Sequence, residues 1–211
     1  MNNSSDQLTE IRNLMERSSR FLSLSGLSGV SAGIVALLGA TVAFFYMDYD
    51  LRYFDPETFF ANRPDKGSMV VSLMPIFIDG LAMIFLALGL AVFFTARKAK
   101  QQGLLLWSNV SRLLLINLFI PLIAGGLFCM VLTYYGIIFL VAPATLIFYG
   151  LALINAGKYT LSEIRWLGIS EVILGLIASV FAGYGLIVWA IGFGILHIVY
   201  GLVMYYRYER V

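Results

Sequence analysis

Five polar residues lie within or at the edge of long apolar stretches of this chain, and their types are suited to binding or moving a charge. They are Asp79, Arg112, Asn117, Glu171 and His197. The chain is 60% hydrophobic and 12% charged, with a mean hydropathy of +0.88, which is typical of a membrane protein. An ionisable side chain at the centre of a membrane helix costs at least ~2.5–3.5 kcal/mol. We therefore take all five residues as candidates for a permeation path or a polar core.

Four of these residues are expected to share the cytoplasmic half of the membrane. Counted along their helices at 1.5 Å per residue, Glu171, His197, Asn117 and Arg112 all lie on that side. A Glu–Arg pair completed by His and Asn satisfies every group as a structural clamp between helices. The same set also serves as a proton or ion relay, because buried Glu and His side chains can both titrate. The sequence leaves both interpretations open.

Asp79 is expected to lie alone near the middle of the membrane, about nine residues inside the outer edge of its helix. No other charged residue in the sequence shares that depth. The carboxyl is therefore expected to face the bundle interior, either protonated or reached by water. We predict it as the key group of any permeation path. The alternative is a neutral carboxyl that is hydrogen-bonded to a neighbouring helix.

Two prolines predict helix breaks. Pro121 displaces the carbonyl of Asn117 from the helical hydrogen-bond pattern, and Pro143 does the same to Phe139. Broken helices at membrane depth often line cavities, although a simple kink without a site is the alternative.

The elements that hold these residues are six apolar segments, each close to the ~20 residues needed to cross a membrane. They cover Phe21–Phe45, Val70–Phe94, Arg112–Leu132, Gly136–Ile154, Trp166–Ala182 and Leu186–Tyr206. We predict an all-α membrane protein with a cytoplasmic amphipathic helix in residues 1–20, a six-span domain in 21–211 and an outer loop at 46–68. In that loop, Asp55 and Pro56 predict a short helix.

The basic residues predict the orientation. Most of them lie before span one, between spans two and three, between spans four and five, and after span six. By the positive-inside rule, both termini are cytoplasmic. The spans then form three hairpins that run in the same sense, in a bacterial inner membrane.

The hairpins resemble one another. Each even span carries Gly-Leu before its basic end, at Gly89, Gly150 and Gly201, and Gly26–Ala40 matches Gly168–Ala182 at six of fifteen positions. Parallel repeats are one of the symmetric plans of transport proteins. Chance similarity within a small alphabet of apolar residues is the alternative.

Span one carries small residues at helical spacing, including the pair Gly29 and Gly33. Such faces let two helices approach closely. We expect packing within the bundle, with a homo-oligomer through this face of span one as the alternative.

The pattern of three same-sense hairpins with glycine-punctuated spans resembles the bacterial acid-resistance membrane protein family. The stretch Tyr149–Arg210, with its Glu-Ile-Arg-Trp-Leu-Gly and Gly-Tyr-Gly elements, resembles uncharacterised six-span bacterial inner-membrane proteins. The resemblance implies the architecture and no particular substrate or catalytic residue.

Two functions fit these features. One is a small channel or secondary transporter for a proton, ion or small solute; the other is a non-conducting assembly or stress-related component with a structural polar core. The sequence has no metal-ligand spacing, phosphate loop or paired nucleophile and base, so we expect no enzyme, metal or cofactor. The expected partner is the lipid bilayer, with no nucleic acid.

Overall fold

The computed structural model describes residues 21, 24–48, 55–61, 66–103 and 106–210. Every regular element in these residues is helical, and none is a strand, which confirms the predicted all-α class. The amphipathic helix predicted for residues 1–20 lies outside the described residues.

Eight α-helices make up the described part of the chain, and we number them in chain order. They are α1 Gly26–Tyr46, α2 Pro56–Ala61, α3 Lys66–Gln101, α4 Asn109–Tyr134, α5 Val141–Ala156, α6 Ser162–Val180, α7 Gly185–Trp189 and α8 His197–Tyr208. A π-helix, Ala190–Leu196, joins α7 to α8, and we call these three segments together the terminal rod. The short helix predicted in the outer loop is present as α2.

Within the described residues, five segments are long and apolar enough to cross a membrane. They are Gly26–Tyr46, Val71–Gln101, Asn109–Tyr134, Ile138–Ala156 and Gly185–Tyr208. The predicted fifth span, α6, is not among them because Glu163, Arg165 and Glu171 interrupt its apolar sequence. The chain nevertheless has the architecture of a multi-pass membrane protein.

The long helices pack as a row in the order α3, α1, terminal rod, α6, α5, α4. The most extensive contacts are between α5 and α6 and between α1 and the terminal rod, followed by α4 with α5 and α1 with α3. The helices α3 and α4, which follow each other in the chain, share no extensive contact within the described residues and stand at the two ends of the row.

Polar contacts join the helices at the end of the bundle where α1, α4 and α6 begin, which we call the basic end. The Lys98 ammonium donates to the carbonyl of Leu24 (2.7 Å) and lies 3.3 Å from a carboxylate oxygen of Glu209. Glu209 in turn accepts from the hydroxyl of Ser25 (3.1 Å) and from the first backbone N–H of α1, at Gly26 (2.5 Å). The end of the chain therefore caps the start of α1 and holds α3 beside it.

The opposite end, which we call the loop end, has tight connections. Gly136 adopts a φ of +74°, its N–H donates to Thr133, and the N–H of Ile137 donates to Leu132 (2.8 Å). This hydrogen-bond pattern closes a helix on a left-handed residue, and glycine is the residue that adopts it most readily. The hairpin of α4 and α5 thus needs only a short turn.

Candidate functional site at the centre of the bundle

Three polar side chains meet where α5, α6 and the terminal rod pack together. Glu171 is the tenth of the 19 residues of α6, and Tyr149 lies at a similar height in α5. His197 follows the π-helix halfway along the terminal rod, between Gly185 and Tyr208. Each helix thus extends about 11–18 Å from this point toward either end of the bundle. The cluster lies close to the middle of the predicted membrane.

His197 is held by hydrogen bonds at both ring nitrogens. Nδ1 lies 3.0 Å from the carbonyl oxygen of Gly192, and Nε2 lies 2.8 Å from the hydroxyl oxygen of Tyr149. A carbonyl oxygen only accepts, so Nδ1 carries a hydrogen and donates it. In the neutral ring Nε2 then accepts from the Tyr149 hydroxyl, and in the charged ring it donates to that oxygen.

Glu171 has a different environment. Its side chain is 0% exposed, and Oε1 lies 3.4 Å from Nδ1 of His197. Within the described part of the chain, neither carboxylate oxygen accepts a hydrogen bond, so the contact with His197 is one of charge and proximity. A buried polar group without a hydrogen bond is costly, and such exceptions often mark a function. Two acceptors, Glu171 and the Gly192 carbonyl, therefore lie beside one Nδ1–H.

The π-helix produces this geometry. An α-helical backbone pairs each N–H with the carbonyl four residues earlier, whereas the wider turn leaves the Gly192 carbonyl facing the ring of His197, five residues later. Gly192 also makes room for the carboxylate, because a Cβ on this residue would overlap Oε2 of Glu171. Interruptions of this kind occur frequently at functional sites.

Two aromatic rings, those of Phe193 and Tyr149, pack against His197. Phe193 stacks on His197 with ring centroids 5.8 Å apart, and Tyr149 lies 4.9 Å from Phe193. Among the described residues no group of three or more His, Cys, Asp or Glu side chains is placed to hold a metal ion. The arrangement is chemically suited to holding and exchanging a proton.

The structure brings together only two of the five residues singled out in the sequence, Glu171 and His197. Arg112 is exposed near the start of α4, and Asn117 donates its amide to Leu113 of its own helix (2.9 Å). Because α4 stands at the end of the row, the expected convergence of all four inner residues does not occur. Among the residues that the structure describes, the ionisable partner of Glu171 is His197.

Asp79 is half-buried on the stripe of α3 that faces α1, with Met83 one turn further along. It forms no hydrogen bond or ion pair with the described residues. Ser72 accepts from Tyr46 at the loop end and Lys98 lies at the basic end, so Asp79 is about 10 Å from the first level and about 28 Å from the second. The central group of the bundle is Glu171.

The prolines do not break their helices. Pro121 lies inside the continuous helix α4. Pro143 lies in the first turn of α5, after a 3₁₀ turn at Ile138–Leu140, where a missing N–H costs nothing. The interruption at membrane depth is the π-helix, which contains no proline.

The small residues of α1 pack inside the bundle. A Cβ on Gly29 would lie 3.1 Å from the Cα of Gly201, and a Cβ on Gly33 would lie 2.5 Å from the carbonyl oxygen of Gly194. The face that the alternative assigns to a homo-oligomer is therefore occupied by the terminal rod.

Tyr149 and Gly192 were not predicted as site residues. Tyrosine is ordinary in membrane helices, and glycine carries no side-chain chemistry. The available signal was the Gly-Phe-Gly sequence at 192–194, three residues before the single histidine of the chain.

Comparison with known proteins leaves the site to be interpreted by its own geometry. No family model, curated protein or solved structure matches this chain.

Proposed function

We propose that this chain is a six-span transport protein of the bacterial inner membrane that moves protons, alone or coupled to a small solute, and that Glu171 and His197 are its proton-carrying pair. The observation that supports it best is the buried Glu171 carboxylate, which lies 3.4 Å from His197 near the middle of the helices and accepts no hydrogen bond from the described residues. Ionisable groups at this depth mark ion and proton pathways in membrane proteins.

The hydrogen bonds suggest the route of the proton. The Tyr149 hydroxyl, the two nitrogens of His197 and the Glu171 carboxylate follow one another at distances of 2.8 and 3.4 Å. A proton arriving at Nε2 makes the ring cationic, and the Nδ1 proton can then pass to Glu171 without rearrangement of the helices. The resemblance to six-span bacterial inner-membrane proteins and the distribution of basic residues favour this location, with both termini cytoplasmic.

The second candidate is a non-conducting component in which the pair only fixes the packing of α5, α6 and the terminal rod. The observation in its favour is that both nitrogens of His197 already have hydrogen-bond partners. Proton flux and stability distinguish the two functions.

The experiment uses the purified full-length chain in liposomes that contain a pH-sensitive dye, with a potassium diffusion potential to drive protons inward. The wild-type protein should acidify the lumen faster than protein-free liposomes, and Glu171→Gln should reduce the rate to that background. Glu163→Gln is the matched control, because Glu163 lies in the same helix but pairs with Arg207 at the basic end (2.8 Å). This control should conduct like the wild type.

The thermal stability of the same variants completes the test. His197 keeps Tyr149 and Gly192 when Glu171 is replaced, so Glu171→Gln and Glu171→Met should melt at or above the wild-type temperature. Wild-type flux at background, or equal flux for wild type and Glu171→Gln, would refute the transport proposal. A large loss of stability in Glu171→Met would instead favour the structural role.

A further inference from the structure

Two glycine-lined interfaces in this bundle are built in the same way. In one, α5 packs on α6, and a Cβ on Gly150 would lie 2.6 Å from the Gly168 carbonyl oxygen and 2.8 Å from the Val172 nitrogen. In the other, the terminal rod packs on α1, and a Cβ on Gly201 would lie 2.7 Å from the Gly26 carbonyl oxygen and 2.6 Å from the Val30 nitrogen. Both contacts join an even span of one hairpin to an odd span of another.

The correspondence extends along the helices in register. Gly175 packs on Pro143 and Ile147, as Gly33 packs on Gly194 and Ile198. Corresponding residues of spans one and five lie 142 positions apart, and those of spans four and six lie 51 positions apart. These are the same shifts that align Gly26–Ala40 with Gly168–Ala182 and Gly150 with Gly201 in the sequence. Chance similarity in composition does not produce two interfaces in the same register, so spans one and five, and likewise spans four and six, are equivalent elements of a structural repeat.

The remaining even span, α3, lacks this contact. Gly89 in α3 corresponds to Gly150 and Gly201, yet a Cβ on Gly89 would meet nothing within 4 Å. In the two interfaces above, the even span of one hairpin packs on the odd span of the hairpin that follows it, with the first hairpin following the third. By this pattern, which we call the repeat rule, the missing partner of α3 is α4, the odd span of the middle hairpin. That helix stands at the other end of the row, and its own exposed surface includes Ile116 and Ile120.

The connection between α3 and α4 limits how far apart these ends are. Only residues 102–108 join Gln101 to Asn109, which spans at most about 29 Å. Helix axes in contact lie about 8–10 Å apart, so this gap admits at most two more helices. Within the described residues, α3 has its extensive helix contact with α1 and α4 has its own with α5, so neither helix uses the other as a main packing partner.

We propose that the Gly89 face of α3 binds α4 of a second copy of this chain. The two ends of the row are complementary to each other by the repeat rule, so a two-fold axis lets α3 of each copy pack on α4 of the other and closes both gaps at once. The driving force is close helix packing at glycine, as in the two interfaces already formed, since lipid covers exposed apolar side chains equally well.

Cysteine cross-linking between differently tagged chains tests this pairing in native membranes. The single native cysteine is first removed as Cys129→Ser. Gly89→Cys in one chain should form a disulfide with Ile116→Cys or Ile120→Cys in the other, giving a species of twice 23.4 kDa. Ile173→Cys, on the exposed side of α6, replaces Gly89→Cys as the control and should form none.

A second measurement uses the size of the protein in lipid nanodiscs. Gly89→Leu should convert the dimer to a folded monomer, because the new side chain meets nothing in its own chain. Gly80→Leu is the matched control on the opposite side of α3, where a Cβ also meets nothing, and it should remain dimeric. A monomeric wild type, a disulfide that forms only within a doubly substituted chain, or no disulfide in either pair would overturn the proposal.

Discussion

At the scale of single residues, the contrast between Glu171 and His197 defines the site. Both side chains are buried, but in the described part of the chain the histidine has hydrogen-bond partners and the glutamate has none. A carboxylate kept without hydrogen bonds beside a histidine is poorly explained by stability alone, because an apolar side chain of similar size commonly serves stability as well or better. The residue is more readily understood as a group that exchanges a proton.

Asp79 provides an independent prediction at this scale. It is half-buried toward α1 and forms no hydrogen bond or ion pair with the described residues, so Asp79→Asn should leave the thermal stability within about 0.5 kcal/mol of the wild type. If Asp79 forms part of the permeation path, the same variant should lose the proton dependence of flux. Normal flux in Asp79→Asn, with flux lost in Glu171→Gln, would limit the path to the central pair.

At the scale of elements, glycine determines which helices meet. The contacts of Gly150 with α6 and of Gly201 with α1 bring backbones together so closely that a Cβ would overlap backbone atoms. Gly150→Leu and Gly201→Leu should therefore each destabilise the protein by at least about 1–3 kcal/mol through overpacking. Gly89→Leu in α3 should not destabilise the folded monomer, because a Cβ there meets nothing within 4 Å. Thermal unfolding in detergent measures all three, and equal losses would contradict the assignment of the open face.

The basic end gives a prediction in which burial decides the size of the effect. Lys98 is buried, and Glu209 is its charged partner, whereas Arg207, the partner of Glu163, is 65% exposed in its side chain. Glu209→Gln leaves a buried ammonium without its counter-charge and should cost about 3–5 kcal/mol. Glu163→Gln removes a partner from a solvated guanidinium and should cost about 1 kcal/mol or less. The two free energies of unfolding, measured side by side in detergent, should differ in this order; a reversed order would mean that the Lys98 contact is not important for stability.

At the scale of the whole molecule, the proposed proton path has a direction that depends on the orientation of the bundle in the membrane. A cysteine at Asn62 should react with an impermeant reagent in intact cells, and one at Gln101 should react only after the cells are opened. Labelling of Gln101 in intact cells would place the basic end outside and reverse the direction of the proposed path.

The sequence by itself determined the parts of this protein that depend on local pattern. Apolar length and periodicity located the long helices, and Asp55 with Pro56 located the short helix of the outer loop. The glycines of the even spans predicted a repeat, and two of them, Gly150 and Gly201, make equivalent contacts. These features can be predicted from the sequence because hydrophobic length and backbone preferences depend on residues that are close together in the chain.

Only the tertiary structure decided which polar residues meet. The order of helices in the row moved Arg112 and Asn117 away from Glu171 and brought Tyr149 to His197. The π-helix directs the Gly192 carbonyl toward His197. It contains no proline, so the sequence did not indicate it. Depth along a helix is readable from sequence, but the direction that a side chain faces depends on which helices surround it, and that depends on contacts between distant parts of the chain.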